Sequence, residues 1–389
     1  MTTRPEIELL LCCARVRLDA RREERARALL RAELDWDFLF VMSMRHGLMP
    51  LIYRHLSGEL IKLVPEAHLK KFREHYRHNA ARNLFLTGEL CRILQRFERR
   101  GITAIPYKGP ALAVSAYGDI ALRQFVDLDI LVSPRDVREA SALLVEDGYE
   151  AHFDIKETQE AAFLRLSYVQ LFTRDEGRSA VELHWTIAPR FFSFPLKTEQ
   201  LQEHLDTITL RGVHVHAPST EDLILMLCAH GAKDLWARLE WVASIAELCG
   251  GKEIDWQRLL TRAHDLSGER MLLLGLFLAH NLLETPLPEE VLRRIEAEPK
   301  VARLGDEVRE RMFDEGDAAY GVARQISFHL RTKENLRDRI RYCALFAMTT
   351  TPVDWALAPL PPTLSFVYYL LRPFRLAKKY MFSPSRRVL

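Results

Sequence analysis

Hydrophobic residues recur at helical spacing through the first hundred residues. Two stripes show this spacing: Leu9, Leu10, Cys13, Val16 and Leu18, followed by Trp36, Phe38, Leu39, Val41 and Met42. Glutamate, arginine and leucine are frequent in this part of the chain, whereas glycine and proline are scarce, and such a composition favours helices. We therefore predict a helical N-terminal domain over residues 1–100.

The pattern changes at Gly101, where short apolar runs begin to alternate with helix-like segments. Runs rich in β-branched and aliphatic residues predict strands at 102–107, 125–132, 149–153, 168–173 and 180–187. Helices are expected at 110–117 and 134–146, and a small hairpin is expected at 208–215. This mixture predicts an α+β core over residues 101–218.

Helical periodicity returns after the hairpin. Ser219 has the side chain of a helix N-cap, and Glu221 and Asp222 follow in the first turn, where negative charge is favourable. We predict a helical domain over residues 219–350. Residues 351–389 differ, because no acidic residue follows Asp354 and the segment is both aromatic and basic. Its cations after the apolar run 364–371 are Arg372, Arg375, Lys378, Lys379, Arg386 and Arg387.

Composition narrows the functional classes only slightly. The chain has 55 basic and 53 acidic residues, so a polyanionic partner would have to meet a local basic surface. Its six cysteines form no C-x-x-C pair, which excludes the usual zinc spacing and is typical of a reducing compartment. There is no signal-peptide pattern and no run of roughly 18–20 apolar residues, so we expect a cytoplasmic protein.

The segment with the clearest chemical content is an aspartate pair inside an apolar run. On a strand, Asp127 and Asp129 point to one face while Leu128 and Ile130 point into the core. Unpaired carboxylates in such a run would be costly to bury, whereas two of them can jointly hold a hard divalent cation. Upstream, the Lys108–Gly109 pair ends a predicted strand and begins a predicted helix, where backbone amides favour phosphate.

A third carboxylate, Glu182, lies in a run of alternating polarity. Glu182 and His184 share one face of this predicted strand, and the apolar residues around them share the other. Glu182 is a candidate third metal ligand or general base for an acceptor hydroxyl. An edge strand with a solvated polar face fits the same pattern equally well.

These motifs together resemble a known family. The run K-G-P-A-L-A, then Y-G-D, L-R, D-L-D-I-L-V and E-L-H-W, is similar to an uncharacterised bacterial nucleotidyltransferase family related to the polymerase-β-like enzymes. It also resembles the toxin-type nucleotidyltransferases of abortive-infection systems, whose motif reads Lys-Gly-Gly…Arg…Asp-x-Asp. Segments 35–51, 230–241 and 368–373 extend the resemblance over most of the chain.

The resemblance implies a polymerase-β-like core, a small mixed sheet with helices, flanked by helical N- and C-terminal domains. It implies metal-dependent transfer of an NMP from an NTP, with Asp127, Asp129 and Glu182 as catalytic residues that hold Mg²⁺ or Mn²⁺. Lys108 and Gly109 would lie at the triphosphate. Arg123 would contact a phosphate or the base. Lys233 is a candidate phosphate contact from the helical domain, although a solvated lysine near a helix end fits the same position.

Several alternatives stay open at this point. Superfamily members commonly carry serine where this chain has Pro110, which offers neither a hydroxyl nor an N–H. A catalytically weakened binding or toxin-like regulatory protein is therefore one alternative. Another is a peripheral factor in surface polysaccharide assembly whose basic tail contacts anionic lipid or RNA. The acceptor could be a sugar, a small molecule, a protein side chain or tRNA.

Three further histidines carry weaker signals. His75 and His78 lie one turn apart and are interpreted as part of a surface helix, and His230 as a core or capping histidine. The chain contains no G-x-x-x-x-G-K-[ST], G-x-G-x-x-G, H-E-x-x-H or G-x-S-x-G motif, so it shows no trace of the enzyme classes that these motifs mark.

Overall fold

The computed structural model describes residues 4–153, 163–165, 167–314 and 321–348. Its N-terminal part is helical, as the periodicity predicts. Asp19 and Asp35 cap the second and third helices by accepting hydrogen bonds from the backbone N–H groups of Arg22 and Phe38. The helices are α1 (Pro5–Cys12), α2 (Ala20–Leu30), α3 (Trp36–Arg45), α4 (Met49–Leu56) and α5 (Glu66–Glu98).

A five-stranded mixed sheet follows, which confirms the α+β class. Its strands are β1 (Ile105–Pro106), β2 (Leu128–Leu131), β3 (Glu150–Ala151), β4 (Val169–Arg174) and β5 (Ser179–His184). They are ordered β1-β2-β5-β4-β3, and only the central β2–β5 pair among these described strands is parallel. The helices α6 (Gly109–Tyr117) and α7 (Val137–Glu146) connect the first three strands.

Several predicted boundaries were wrong by a few residues. The strand predicted at 125–132 begins only at Leu128, because its ladder with β5 starts at the pair of Leu128 and Val181. Before it, the Val126 carbonyl accepts a hydrogen bond from Arg82 Nη2 on α5 at 3.2 Å. Asp127 therefore precedes the strand. The helix predicted from residue 134 begins at Val137, since residues 133–136 form a turn.

The predicted hairpin and its capping serine are confirmed. Strands β6 (Leu205–Leu210) and β7 (Val213–Pro218) pair antiparallel after a short helix α8 (Thr198–Gln202). The Ser219 side chain then accepts from the Asp222 backbone N–H at the start of α9 (Thr220–Lys233). The remaining helices are α10 (Leu239–Gly251), α11 (Trp256–Asp265), α12 (Glu269–Leu283), α13 (Glu289–Glu296), α14 (Pro299–Met312), α15 (Val322–Thr332) and α16 (Leu336–Met348).

The sheet lies between two hydrophobic cores. Leu128 and Ile130 face a core formed with α5, α7 and the hairpin. Leu131 belongs to a larger core in which the helices before the sheet pack with those after it. Because side chains alternate along a strand, Asp129 points to the same side as Leu131, toward the helical part of the molecule. The polar face of β2 is thus enclosed by helices.

One predicted segment receives no structural test. The basic C-terminal tail lies outside the described residues. Among the residues that are described, none of the helices combines the length and hydropathy that a bilayer span requires.

Candidate active site

Three side chains of the types that can ligate a metal ion meet where β2 and β5 run side by side. In the parallel register, Asp129 is the partner of Glu182, and Leu131 is the partner of His184. His184 Nε2 lies 3.3 Å from Asp129 Oδ1 and 3.2 Å from Glu182 Oε2. Within the described part of the chain, ligand atoms of Asp129, Glu182 and His184 all lie within 4.8 Å of one another. The sheet itself therefore builds this cluster.

Lys108 supplies the cation that faces this cluster. It stands two residues after β1, which pairs with β2, and its Nζ lies 3.0 Å from Asp129 Oδ1. The Asp129 side chain is only 3% exposed. Burial opposes its negative charge, but Lys108 and the hydrogen bond with His184 outweigh burial and hold the pKa of Asp129 well below its usual range. Asp129 is thus a buried carboxylate that stays charged.

Asp127 lines a cavity together with Asp129 and Glu182, but its pKa is shifted in the opposite direction from that of Asp129. Its burial, together with the negative charges of Asp129 and Glu182, raises its pKa to about 6, while Lys108 and Arg123 act in the opposite direction. Burial is the largest cause of this raised pKa, and repulsion from the two neighbouring carboxylates adds to it. A divalent cation bound among them would relieve that repulsion.

The turn between β1 and α6 depends on glycine. Gly109 begins α6 with φ +51°, a left-handed conformation that other residues adopt only at a cost. A Cβ atom at this position would lie 3.2 Å from the backbone oxygen of Asp127. Pro110 occupies the first turn of α6, where its missing N–H costs no intrahelical bond. The start of α6 therefore tolerates Pro110 at the position where superfamily members commonly carry serine.

We expect Gly109→Ala to weaken binding of the NTP that the sequence resemblance implies at least about fivefold and to lower the free energy of unfolding by about 1–2 kcal/mol. The strained φ accounts for the lost stability, and displacement of the Asp127 carbonyl accounts for the lost binding. Gly118→Ala is the matched control, because Gly118 ends the same helix at φ +70° with no described atom within 4 Å of the added Cβ. Calorimetry and urea unfolding measure both effects. Equal NTP affinity in the two variants would contradict a role for this contact.

All but one of the predicted site residues line one cavity of about 430 Å³, a volume typical of small-molecule sites. The carboxylates Asp127, Asp129 and Glu182 lie along it with Lys108, Arg123 and Lys233. Gly109 is not among its lining residues, although its neighbour Lys108 is. The structure thus brings residues from β2, β5, the β1–α6 turn and α9 to one place.

Arg123 and Lys233 differ in how they are held. The Arg123 carbonyl accepts hydrogen bonds from Asn79 and Asn83 of α5, at 3.2 and 2.7 Å. The Arg123 side chain is buried, and within the described residues its Nε has no hydrogen-bond partner. Lys233 instead forms an ion pair of 2.8 Å with Asp234. Arg123 is therefore the more available cation for an incoming anion.

Helices that come before and after the sheet in the chain form the other walls of the cavity, and the sequence did not reveal this. His75 and His78 of α5 are exposed, which confirms the prediction of a surface helix, and they also line the cavity. His230, interpreted as a core or capping residue, is partly buried there and packs edge-on against Trp241 with the ring centroids 4.9 Å apart. Burial and the nearby charges of Lys108 and Lys233 hold the pKa of His230 well below its usual range. It faces the cavity as a neutral ring.

The donor set fits a hard divalent cation. Asp127, Asp129 and Glu182 offer carboxylate oxygens, the ligands that Mg²⁺ prefers, and His184 offers a nitrogen that Mn²⁺ also accepts. Burial and the neighbouring carboxylates raise the pKa of Asp127, and a divalent cation bound beside it would favour its charged form. His184 is the one member of this set that the sequence reasoning did not assign, although its shared face with Glu182 was the available signal.

Comparison with known proteins adds an independent finding. The family model described as an uncharacterised nucleotidyltransferase matches residues 32–284, which is more than half of the chain. The matched region contains every residue of the site described above. The comparison with curated proteins found no match.

Proposed function

The chain belongs to the uncharacterised nucleotidyltransferase family, and from this membership we propose that it transfers a nucleoside monophosphate from an NTP to an acceptor hydroxyl. The acceptor oxygen forms a bond to the α-phosphorus, the bond from that phosphorus to the β-phosphate oxygen breaks, and pyrophosphate leaves. The observation that carries this proposal is the pairing of Asp129 with Glu182 on adjacent parallel strands, beside Lys108 and within one cavity.

Asp127, Asp129 and Glu182 are the proposed ligands of Mg²⁺ or Mn²⁺. When bound, such an ion neutralises charge on the triphosphate and activates the attacking hydroxyl. Asp129 is held in place by Lys108 and His184, so its carboxylate needs little reorganisation before it binds. Family membership and the donor set support this assignment, and the identity of the metal belongs to the proposal.

The cations of the site have distinct proposed roles. Lys108 and Arg123 offset the negative charge of the triphosphate, and they approach it from the β1–α6 turn and from the segment before β2. Gly109 allows the backbone of that turn to come close to the nucleotide. Lys233 is placed to contact a phosphate only if it exchanges its ion pair with Asp234 for that contact.

Glu182 is the proposed acceptor of the hydroxyl proton. Its side chain is 35% exposed, lines the cavity and is oriented through its contact with His184 Nε2. A carboxylate that reaches both the solvent-filled cavity and the reacting centre can take up the proton and pass it to water. His184 is a positioning residue in this scheme.

We also propose a cytoplasmic location. All six cysteines are free thiols, among them the sequence neighbours Cys12 and Cys13. Free thiols in this number are typical of a reducing compartment. The helical regions 1–100 and 219–350 are proposed as domains that flank the core at 101–218 and shape the acceptor pocket.

A paired binding experiment tests the proposal. Wild type and the double variant Asp127→Asn/Asp129→Asn are titrated by calorimetry with each NTP, with and without Mg²⁺. We expect one NTP to bind in a magnesium-dependent manner to the wild type and at least about 100-fold more weakly to the double variant, because the variant loses two of the proposed metal ligands. Wild type that binds no NTP would overturn the proposal and favour a weakened site that serves as a binding or regulatory module.

A further inference from the structure

A second cleft, which we call the basic cleft, lies beside the cavity that Asp127, Asp129 and Glu182 line, which we call the catalytic cavity. Its volume is about 740 Å³, and its wall carries five cations and one acid among the described residues. The cations are Arg165, Arg190, Lys197, Arg337 and Arg341, and the acid is Asp338. In a chain with nearly equal numbers of acidic and basic residues, this is a strong local excess of positive charge.

The cations of the basic cleft also lack carboxylate partners. Within the described part of the chain, no ion pair joins any of the five to an acidic side chain, and Asp338 instead accepts a hydrogen bond from Asn335 at 3.5 Å. Elsewhere the arginines are commonly paired, as Arg92 is with Asp147 at 2.5 Å and Arg331 with Glu307 at 2.7 Å. Five like charges in one concavity repel each other, and an anion would relieve that repulsion.

Aromatic packing docks the helix that carries two of these arginines. Arg337 and Arg341 are one turn apart on α16 and therefore share a face of the helix. Tyr342 and Phe346 of the same helix pack edge-on against Phe191, at ring distances of 5.9 and 5.3 Å. Phe191 belongs to the 3₁₀ turn that begins at Arg190. The turn and α16 are thus docked, with their arginines on the wall of one cleft.

The basic cleft and the catalytic cavity share a wall. Ser167 and Thr186 line the cleft, while their neighbours Tyr168 and Ile187 line the catalytic cavity. The indole N–H of Trp185 donates to the carbonyls of Leu164 and Ser167 at 3.0 and 3.1 Å, which fastens the two segments together. Arg190 lies six positions after His184, so the chain between them spans at most about 20 Å. A ligand a few nucleotides long can cover that distance.

We propose that the basic cleft binds the phosphodiester backbone of a nucleic acid, which presents a hydroxyl to the catalytic cavity as the acceptor. This inference rests on the proposed nucleotide transfer. Several separate cations around a concave cleft suit a chain with repeated phosphates, because each phosphate can meet its own cation. A small phosphorylated acceptor would leave most of these cations unpaired. A membrane is planar and would contact a convex basic surface better than a cleft.

Fluorescence anisotropy with a labelled 20-nucleotide RNA and the DNA of the same sequence tests this inference, without NTP or metal and over a series of KCl concentrations. We expect Arg337→Ala/Arg341→Ala to weaken binding at least about tenfold. The slope of log K against log[KCl] should become shallower by roughly 1.4, or about 0.7 for each lost single-strand contact. The matched control is Lys300→Ala/Arg303→Ala, an exposed cationic pair one turn apart on α14. Because alanine has a high helix propensity, we expect both double variants to keep their helices folded.

The outcomes separate this inference from the proposed function. A selective loss in the cleft variant with unchanged NTP binding supports it, and the tighter of the two oligonucleotides identifies the sugar of the acceptor. Equal affinity of the cleft variant and the wild type overturns it, as does binding to phosphatidylglycerol vesicles with none to either oligonucleotide. If NTP binds and no oligonucleotide does, only the acceptor inference falls. If an oligonucleotide binds and no NTP does, the acceptor role falls together with the proposed function.

Discussion

Asp129→Asn should lower the rate of nucleotide transfer at least about 10³-fold, the scale expected when a group that organises charge at the reacting centre is lost. Asp129 is the central carboxylate of the candidate site, since both Lys108 and His184 contact its Oδ1. Asparagine keeps the shape of the side chain but removes the negative charge that would hold a divalent cation. Pyrophosphate release, followed with each NTP, measures the effect.

The control for this variant is Asp206→Asn. Asp206 is exposed on β6 and does not line the catalytic cavity, so its loss should leave the transfer rate within about twofold, as is usual for surface substitutions. Circular dichroism and thermal unfolding verify that both variants stay folded. A transfer rate of Asp129→Asn within tenfold of the wild type would rule out this carboxylate as a catalytic metal ligand.

Lys108→Met should raise the KM for NTP at least about tenfold, lower kcat, and destabilise the protein when no divalent metal is present. The variant leaves the buried Asp129 carboxylate without its closest cation, and breaking a buried pair in this way costs up to about 3 kcal/mol. Mg²⁺ would replace the missing positive charge. We therefore expect Mg²⁺ to raise the Tm of Lys108→Met more than it raises the Tm of the wild type.

Lys108→Arg serves as the conservative control, since it keeps the charge and changes the shape of the donor. It should retain stability without metal while its KM stays raised, because a guanidinium cannot take the position of the ammonium. Thermal unfolding with and without Mg²⁺, together with steady-state kinetics, distinguishes the two effects. If Lys108→Met unfolds at the wild-type temperature without metal and keeps the wild-type KM, Lys108 has neither role.

The alternation of side chains between the two faces of a strand explains why much of the candidate site could be predicted from the sequence. A period of two along residues 125–132 and 180–187 indicates which side chains share a face, and this requires no knowledge of the partner strand. It directed attention to Asp129 and Glu182, which the structure indeed places side by side. The same reasoning extended the first strand too far, because where a ladder begins depends on its partner.

Strand register and helix docking are the parts that sequence reasoning could not supply. Nothing local indicates that β2 pairs in parallel with β5, so the contact of His184 with Asp129 could not be anticipated. Helical periodicity similarly identifies the apolar face of α5 but not the partner that covers it. His78 was predicted as a surface residue and is exposed, but helical periodicity gave no sign that it also lines a cavity shared with residues of α9 and β5. Such contacts join parts of the chain that are far apart in sequence.

The position of the sheet between two separate cores affects how the protein can diverge. Leu128 and Ile130 anchor β2 in one core, to which part of α5 also contributes, while most of the other helices that wall the cavity belong to the second core. Substitutions in the helical walls can therefore accumulate without disturbing the packing that positions Asp129. Related chains could inherit the same strands and evolve different acceptor preferences, since the strands that position the carboxylates and most of the helices that enclose the cavity pack in different cores.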